Sequence, residues 1–172
     1  MSKIIARFFY FFLNFFNKIY FLSTGKNFLV YLNSFLRNNS IKEVKIEKKN
    51  IKFFCPNDIC LWRVDTLYSK EPGTLDFIDH FDESEKIVFW DIGSNIGIYS
   101  IYSAVKIKNI HIYSFEPSYN NLSILSENIS LNRLQNKITI CPIPLGSKNN
   151  GKVFFNLSDN KEGSSHHQLK NN

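Results

Sequence analysis

The stretch that decides the fold is IVFWDIGSNIGIYSIYSAV, residues 87–105. It begins with apolar and β-branched residues and passes through an acidic residue and two glycines. It then continues into a second apolar run whose period is that of a helix. The stretch therefore predicts a strand over 86–91 that leads into a helix over about 95–107.

Two more strands and one more helix follow in the same alternating order. Apolar residues predict strands over 110–115 and 138–143, with a helix over 119–131 between them. Such alternation implies parallel strands joined by crossover helices. We therefore predict an α/β fold of the Rossmann-like type, with about three parallel strands.

The turn after the first strand carries the residues expected to meet a ligand. In an open parallel sheet, ligands bind beyond the carboxyl ends of the strands. Gly93 has no Cβ to obstruct a close approach, and Gly97 would let the next helix pack tightly against the sheet. Asp91 places a carboxylate at the mouth of this crevice, which suits a cationic or hydroxyl-bearing ligand and repels a phosphate.

An acidic residue at the end of the second strand favours a nucleoside ligand. Glu116 lies 19 residues after Gly97, near the spacing at which a carboxylate accepts hydrogen bonds from ribose hydroxyls. The pattern is D-x-G-x-x-x-G rather than the G-x-G-x-x-G that admits a pyrophosphate, which favours S-adenosylmethionine over a dinucleotide. The alternative is that the glycines only form a turn and that Glu116 is a solvated acid at a helix N-terminus.

The chain begins with two predicted helices of unusual composition. The first, over 3–22, is dominated by Phe, Tyr, Ile and Leu, and it places Arg7, Asn14 and Lys18 on one face. Three interpretations stay open: a helix lying in a membrane interface, a helix packed on the domain, and a true membrane span or signal. The second helix is predicted over 27–37.

The region before the sheet is predicted to contain a small β-hairpin and a helix. Alternating residues indicate a hairpin over 44–55 that turns at Lys49-Asn50, and CLWRV, residues 60–64, indicates another short strand. Pro72 and the apolar residues after it indicate a helix within 69–81. The predicted division is a helical segment 1–38, a hairpin and helix lead-in 39–85, the Rossmann-like domain 86–160 and a disordered tail 161–172.

Composition argues against several classes of function. The 172 residues are 44% hydrophobic and 21% charged, as in an ordinary globular domain. The net charge of +6 comes mostly from thinly spread lysines, so we expect no nucleic-acid partner. Cys55, Cys60 and Cys141 form no CxxC pair and no Cys/His cluster, so we expect no metal and no disulfide framework. The expected location is the cytoplasm, at the inner face of the membrane if the first helix is interfacial.

Four stretches, in order, resemble one enzyme family. They are WRVDTLYSKEPGTLDFI, VFWDIGSNIGIYSI, YSFEPSYNNLSILSENISLNRLQNKI and PLGSKNNGKVFF, within residues 61 to about 157. Together they resemble the FkbM family of S-adenosylmethionine-dependent O-methyltransferases. The resemblance implies a class I methyltransferase fold, S-adenosylmethionine as cofactor, and a small-molecule acceptor with a hydroxyl group, such as a sugar or a cell-surface glycan precursor.

The resemblance also implies roles for individual residues. The methionine part of the cofactor would contact Asp91, Gly93, Ser94, Asn95 and Gly97, and Glu116 would hold the ribose. The family's K-E-P-x-T pattern matches Lys70, Glu71, Pro72 and Thr74, of which Glu71 and Thr74 are expected to help close the site. The histidines His80, His111, His166 and His167 give no favoured catalytic base, which stays unassigned.

One family feature has no counterpart in this sequence. The family carries an acidic D-x-E-G segment on a later strand, followed by the rest of a seven-stranded sheet, and nothing here corresponds to it. We therefore expect an incomplete fold that does not turn over alone and whose unpaired first strand a partner chain would complete. Two alternatives stay open: a non-catalytic fragment and a membrane-associated structural protein.

Overall fold

A computed structural model describes residues 2–146, 154–156, 160–165 and 168–170 of the chain. The chain divides into two compact units, Met1–Ser40 and Ile41–Asn172, which are described separately.

The first unit is a pair of helices. Helix α1 covers Ser2–Thr24 and α2 covers Phe28–Asn38, which confirms both predicted helices. The backbone N–H of Leu29 donates to the side-chain oxygens of Asn27, the N-cap of α2, and of Asn17 in α1. These bonds satisfy a donor at the start of α2 that has no partner within its own helix, and they fix the two helices together.

Most of the aromatic side chains of α1 are exposed. Tyr20 is half-buried, and the rings of Tyr20 and Phe16 contact Phe28 of α2. Among the described residues, no helix combines the length and the apolar character needed to cross a membrane.

The second unit begins with the predicted hairpin, whose turn lies elsewhere than expected. Strand β1, Ile41–Ile46, pairs antiparallel with β2, Lys49–Phe54, and Ile46 faces Lys49. The turn is therefore Glu47-Lys48, not Lys49-Asn50, and Glu47 has a φ of 53°. The predicted position of the turn was wrong because it rested on the local preference of Asn50 for turns. The register of the strands is set instead by the burial of Ile46, Ile51 and Phe53 in the core.

The predicted strand CLWRV is a helix. Helix α3 covers Asp58–Asp65, and the side chain of Asn57 caps it by accepting hydrogen bonds from the N–H groups of Ile59 and Cys60. Cys60 and Val64, four residues apart, are buried on one side of the helix. The prediction failed because a five-residue apolar run does not distinguish a strand from a short helix, whereas the cap does.

Helix α4 covers Pro72–Asp79, inside the predicted range, with Pro72 at its first turn. Leu75 and Ile78 are buried, as the spacing predicts, whereas His80 lies exposed at the end of the helix.

The centre of the second unit is a parallel sheet with its helices. Strands β3 (Ile87–Ile92), β4 (Ile110–Phe115) and β5 (Ile138–Cys141) lie in the order β3-β4-β5, all parallel. Helices α5 (Ile98–Lys106) and α6 (Tyr119–Leu131) connect them. The predicted α/β class with three parallel strands is confirmed, although β5 ends two residues before the predicted bound.

The edge strand β3 has one apolar face that is largely exposed, although the Trp90 ring contacts Phe115. Val88, Trp90 and Ile92 alternate along it, and each is exposed by more than half. The opposite face packs against the core through Phe89, and it carries Asp91.

A last antiparallel pair joins β6, Phe154–Asn156, to β7, Gln168–Lys170. Between them, residues 160–165 run over the second unit with Gly163 and Ser164 buried. Hydrogen bonds from a distant side chain hold Gly163 and Ser164, and the disordered tail that the sequence predicts for 161–172 stays a prediction.

Candidate functional site

The loop between β3 and α5 is anchored to the end of β4. The N–H groups of Gly93 and Ser94 both donate to the carbonyl oxygen of Phe115, at 2.9 and 3.0 Å. Gly93, Asn95 and Gly97 all have positive φ, of 76°, 52° and 83°. The loop therefore wraps over the carboxyl end of the sheet, where ligands bind in folds of this type.

The two glycines of the loop serve different purposes. A Cβ on Gly97 would stand 2.3 Å from Cδ1 of Leu125, so this glycine allows α5 to pack against α6. A Cβ on Gly93 would meet nothing within 4 Å. The space beside Gly93 is therefore open to a ligand, as the sequence predicts for a close approach to the backbone.

Asp91 ends β3 as a buried carboxylate, with only 8% of the residue exposed. Its Oδ2 accepts a hydrogen bond of 2.5 Å from the Ser100 hydroxyl, which in turn lies 2.7 Å from the Ser114 hydroxyl. Burial raises the pKa of the Asp91 carboxyl, and the Ser100 bond opposes that rise. A carboxylate offers about four acceptor positions, so Asp91 can still accept a hydrogen bond from a ligand beside those from Ser100.

Glu116 is also buried, and the structure shows it holding the loop. Its Oε2 accepts a hydrogen bond from the Asn95 N–H and its Oε1 accepts one from the Ser118 N–H, both at 2.8 Å. The carboxylate thus joins the glycine loop to the start of α6. This contact excludes the alternative of a solvated acid. The predicted contact with a ribose stays a prediction.

A cavity of about 380 Å³ lies in front of the loop, within the size range of small-molecule sites. Six residues predicted from the sequence line it: Asp91, Gly93, Ser94, Asn95, Glu71 and Thr74. Gly97 and Glu116 lie behind this surface and support it. The sequence did not point to four other polar lining residues, namely Arg63, Thr66, Tyr99 and Ser165.

Three polar side chains of the cavity lining, Lys70, Glu71 and Tyr99, are bonded to one another. Lys70 lies 3.0 Å from Glu71, and this hydrogen bond holds the pKa of the Glu71 carboxyl below its usual range. Tyr99 is hydrogen bonded to Glu71, and burial raises the pKa of its phenol. A carboxylate whose pKa is lowered is a weak proton acceptor, so Glu71 is better suited to orienting a hydroxyl than to deprotonating it.

The histidines do not contribute a base to the cavity walls described here. His80 is exposed beyond α4, and the His111 ring bonds to the Thr139 hydroxyl at 2.9 Å. His166 and His167 lie outside the described residues. In the described ranges, no group of three or more His, Cys, Asp or Glu side chains could hold a metal ion.

Residues 160–165, here called the strap, close one side of the site. The amide of Asn121, fully buried on α6, donates to the Ser164 carbonyl at 3.1 Å and accepts from the Gly163 N–H at 2.8 Å. The amide of Asn95 donates to the same Ser164 carbonyl at 2.7 Å. The strap is therefore joined directly to the ligand-facing loop.

The signal for this arrangement was present in the sequence, on one face of α6. Asn121 is followed at seven residues by Asn128, which bonds to the backbone of Phe54 and Ile96. Asn132, four residues further, bonds to the backbone of Lys52. Helical spacing puts the three side-chain amides on one side of α6. Polar side chains on a buried helix face need hydrogen-bond partners, so this pattern predicts bonds to the backbone of neighbouring segments.

Comparison with known proteins finds similar solved structures. No protein-family model matches the chain, and no curated protein matches it. TYW2 from P. horikoshii in complex with MeSAdo is 15% identical over 61% of this chain and 36% of that chain, with a TM-score of 0.41. The N-terminal domain of human METTL16 in complex with SAH is 14% identical over 74% and 55%, with a TM-score of 0.37. Methanocaldococcus jannaschii Trm5 in complex with adenosine is 16% identical over 59% and 28%, with a TM-score of 0.37.

The molecules bound in these three structures are MeSAdo, SAH and adenosine. The chain spans less than two thirds of the length of each of these proteins. Because all three TM-scores are below 0.5, the description of the fold rests on this chain's own strand order and helices. The comparisons do not confirm the FkbM family.

Proposed function

We propose that the cavity binds S-adenosylmethionine and that the chain belongs to an O-methyltransferase of the FkbM type. The observation that supports this most directly is the combination of a buried carboxylate and an unobstructed stretch of backbone beside the cavity. An acidic group, Asp91, and an open backbone at Gly93 stand at the carboxyl end of a parallel sheet. This combination accommodates an adenosine ligand with a cationic amino-acid part and disfavours a pyrophosphate.

The residues of the site fit such a ligand in three respects. The Asp91 carboxylate can accept a hydrogen bond from an ammonium group, because a carboxylate has more acceptor positions than the Ser100 bonds occupy. The space beside Gly93 admits a ligand against the backbone. The loop is held in place before any ligand arrives, since Phe115 and Glu116 accept its N–H groups.

When bound, the cofactor supplies an electrophilic methyl group that an acceptor oxygen can attack in line with the sulfonium sulfur. The protein's part is to exclude water and to place the acceptor hydroxyl. Glu71, Thr74 and Tyr99 line the cavity with carboxylate and hydroxyl groups that can hydrogen bond to a polyhydroxylated acceptor. On this basis we propose a sugar or glycan precursor as the acceptor and assign no general base.

Binding of S-adenosylhomocysteine, measured by isothermal titration calorimetry, tests the cofactor assignment. The wild-type chain is expected to bind, and Asp91→Asn is expected to weaken binding about 10- to 100-fold because it removes a charged acceptor. Glu85→Gln is the matched control, since it removes the same charge from an exposed residue before β3. Equal affinity of all three proteins would contradict the site assignment.

The acceptor class is tested by incubation with labelled S-adenosylmethionine and a panel of hydroxylated glycan precursors. Transfer of label to a hydroxyl would support the acceptor class and would contradict the expectation that the chain does not turn over alone. Thr74→Val and Tyr99→Phe should then raise KM for the acceptor more than they lower cofactor affinity. Cofactor binding without transfer to any acceptor is the result expected of a chain that does not turn over alone, and it would favour the alternative of a non-catalytic chain.

A second proposal concerns the first unit, where we propose peripheral membrane contact through α1. The exposed rings of Phe8, Phe11 and Phe12 together with Arg7 and Lys18 support it, because interfacial helices combine aromatic and basic side chains. Basic residues near an anionic surface contribute about 1 kcal/mol each to the free energy of binding.

Flotation with anionic liposomes should therefore show about 30-fold weaker binding for the double variant Arg7→Gln, Lys18→Gln than for the wild type. The control variant Lys108→Gln should bind as the wild type does. Absence of flotation by the wild type would refute the contact.

A further inference from the structure

We infer that Arg63 is the carboxylate anchor of the cavity, which binds the α-carboxylate of the methionine part of the cofactor. The inference rests on the proposed cofactor, and it assigns a residue that the family resemblance does not. It also explains a cation that the rest of the described structure leaves without an ion-pair partner.

Arg63 lies on α3 and lines the cavity together with Asp91 and the glycine loop. Its Nε–H donates to the carbonyl oxygen of Gly163 at 2.5 Å, which fixes the plane of the guanidinium group. A guanidinium carries five N–H donors, so this bond leaves the four Nη–H donors available to other partners. In the parts of the chain described here, no hydrogen bond is made by these four donors, and no carboxylate lies within ion-pair distance of Arg63.

The surroundings of Arg63 make an anionic ligand the expected partner. The side chain is half-buried, and burial lowers its pKa, although Glu71 and Glu116 exert an attraction from further away. A partly desolvated cation is costly unless an anion or several acceptors satisfy it. Glu71 is already paired with Lys70 and Tyr99, so the nearest acid is committed elsewhere.

The cavity therefore offers opposite charges from two of its sides. Asp91 presents a carboxylate oxygen on the loop side, and Arg63 presents a planar fork of donors on the α3 side. A zwitterionic amino-acid group has an ammonium and a carboxylate to match these two charges. Guanidinium forks bind carboxylates in bidentate fashion, which gives orientation as well as attraction. Lys70 is a weaker candidate because it is already paired with Glu71.

The test compares two ligands that differ only in the carboxylate: S-adenosylhomocysteine and its decarboxylated analogue, S-adenosyl-3-thiopropylamine. Calorimetric titration of the full chain should show that the wild type prefers S-adenosylhomocysteine. Arg63→Gln should weaken S-adenosylhomocysteine about 10- to 100-fold and change the analogue less than about threefold, since a ΔΔG of under about 0.7 kcal/mol is expected without the carboxylate. Arg63→Lys should give an intermediate loss, because it keeps the charge but not the fork.

Three results would overturn the inference, and each has a different meaning. Equal weakening of both ligands by Arg63→Gln would show that Arg63 acts only through Gly163 and the strap. Unchanged binding of both ligands by the variant would show that the carboxylate lies elsewhere while the cofactor assignment stands. No binding of either ligand by the wild type would refute the proposed cofactor as well. Binding of the analogue by Arg63→Gln also serves as the control that the variant is folded.

Discussion

Replacing Asp91 by asparagine should stabilise the free protein at neutral pH while weakening its ligand. The carboxylate is buried at the end of β3, and burial is the largest cause of its raised pKa, with Glu116 and Glu71 adding repulsion. A raised pKa means that the folded state holds the ionised form less well than the unfolded chain does. The side chain therefore costs stability that a bound cation would offset.

The expected size follows from two opposing contributions. A buried ion loses several kcal/mol of solvation, and the asparagine amide avoids most of this loss. Against it, the hydrogen bond from Ser100 to Asp91 becomes weaker by about 1 kcal/mol when its acceptor is neutral. We expect a net gain of about 1 to 2 kcal/mol, which for a chain of this length raises Tm by about 2 to 8 °C.

The direction of the pH dependence is fixed by the raised pKa. The protonated Asp91 favours the folded state, so its stabilising contribution is complete below the usual carboxyl pKa of 3.8 and is lost as pH rises through the folded value. The stability difference between Asp91→Asn and wild type should therefore be largest at neutral pH and should shrink as pH falls toward 3.8.

Urea unfolding, followed by tryptophan fluorescence at pH 5, 6 and 7.5, measures this difference. Both tryptophans, Trp62 and Trp90, lie in the second unit and report on it directly. Glu85→Gln is the control and should show no such pH-dependent gain, because Glu85 is exposed. A variant less stable than wild type at pH 7.5, or a difference that grows as pH falls, would refute the reasoning.

Further predictions concern the loop, the strap and the sheet edge. Gly97→Ala should lose about 2 to 4 kcal/mol of stability, because the added Cβ meets Leu125 at a positive φ. Gly93→Ala should lose only about 1 to 2 kcal/mol in denaturant melts yet impair ligand binding, and equal losses would contradict the roles given to the two glycines. Asn121→Ala should raise hydrogen exchange in residues 160–165 relative to Ser123→Ala, and unchanged protection would mean that the amide does not hold the strap. Val88→Lys should reduce self-association measured by analytical sedimentation, because it places a charge on the exposed apolar face of β3. Equal self-association of the variant and the wild type would contradict this prediction.

The central α/β part of the fold was predictable from sequence because its signals are local. The bounds of β4 and α6 agree with the predicted 110–115 and 119–131. Apolar residues repeat there at the strand and helix periods, and the elements are buried where the pattern requires. The same holds for the turn residues of the loop, since Gly93 and Gly97 do adopt positive φ.

Short elements were less predictable because several physical signals compete within a few residues. In α3, an Asn cap at position 57 outweighs the strand-like composition of CLWRV. In the hairpin, burial of Ile46 and Ile51 sets the register of the two strands. This register places Glu47 in the left-handed region, although asparagine adopts that conformation more readily and Asn50 is nearby. In both cases packing decides between conformations that are close in local energy.

The strap shows why the parts of a site that come from distant segments are harder to predict than the loop that follows a strand. Its partners are far away in sequence: Gly163 meets Arg63 and Asn121, and Ser164 meets Asn95. No periodicity connects such positions, because each contact depends on a backbone group finding one side-chain amide or guanidinium in the folded chain. Asn95 belongs to the ligand-facing loop and Arg63 to α3, so the same few backbone groups of the strap hold two elements that line the cavity. Loss of the strap should therefore alter the ligand site as well as the local stability, even though Gly163 and Ser164 do not line the cavity themselves.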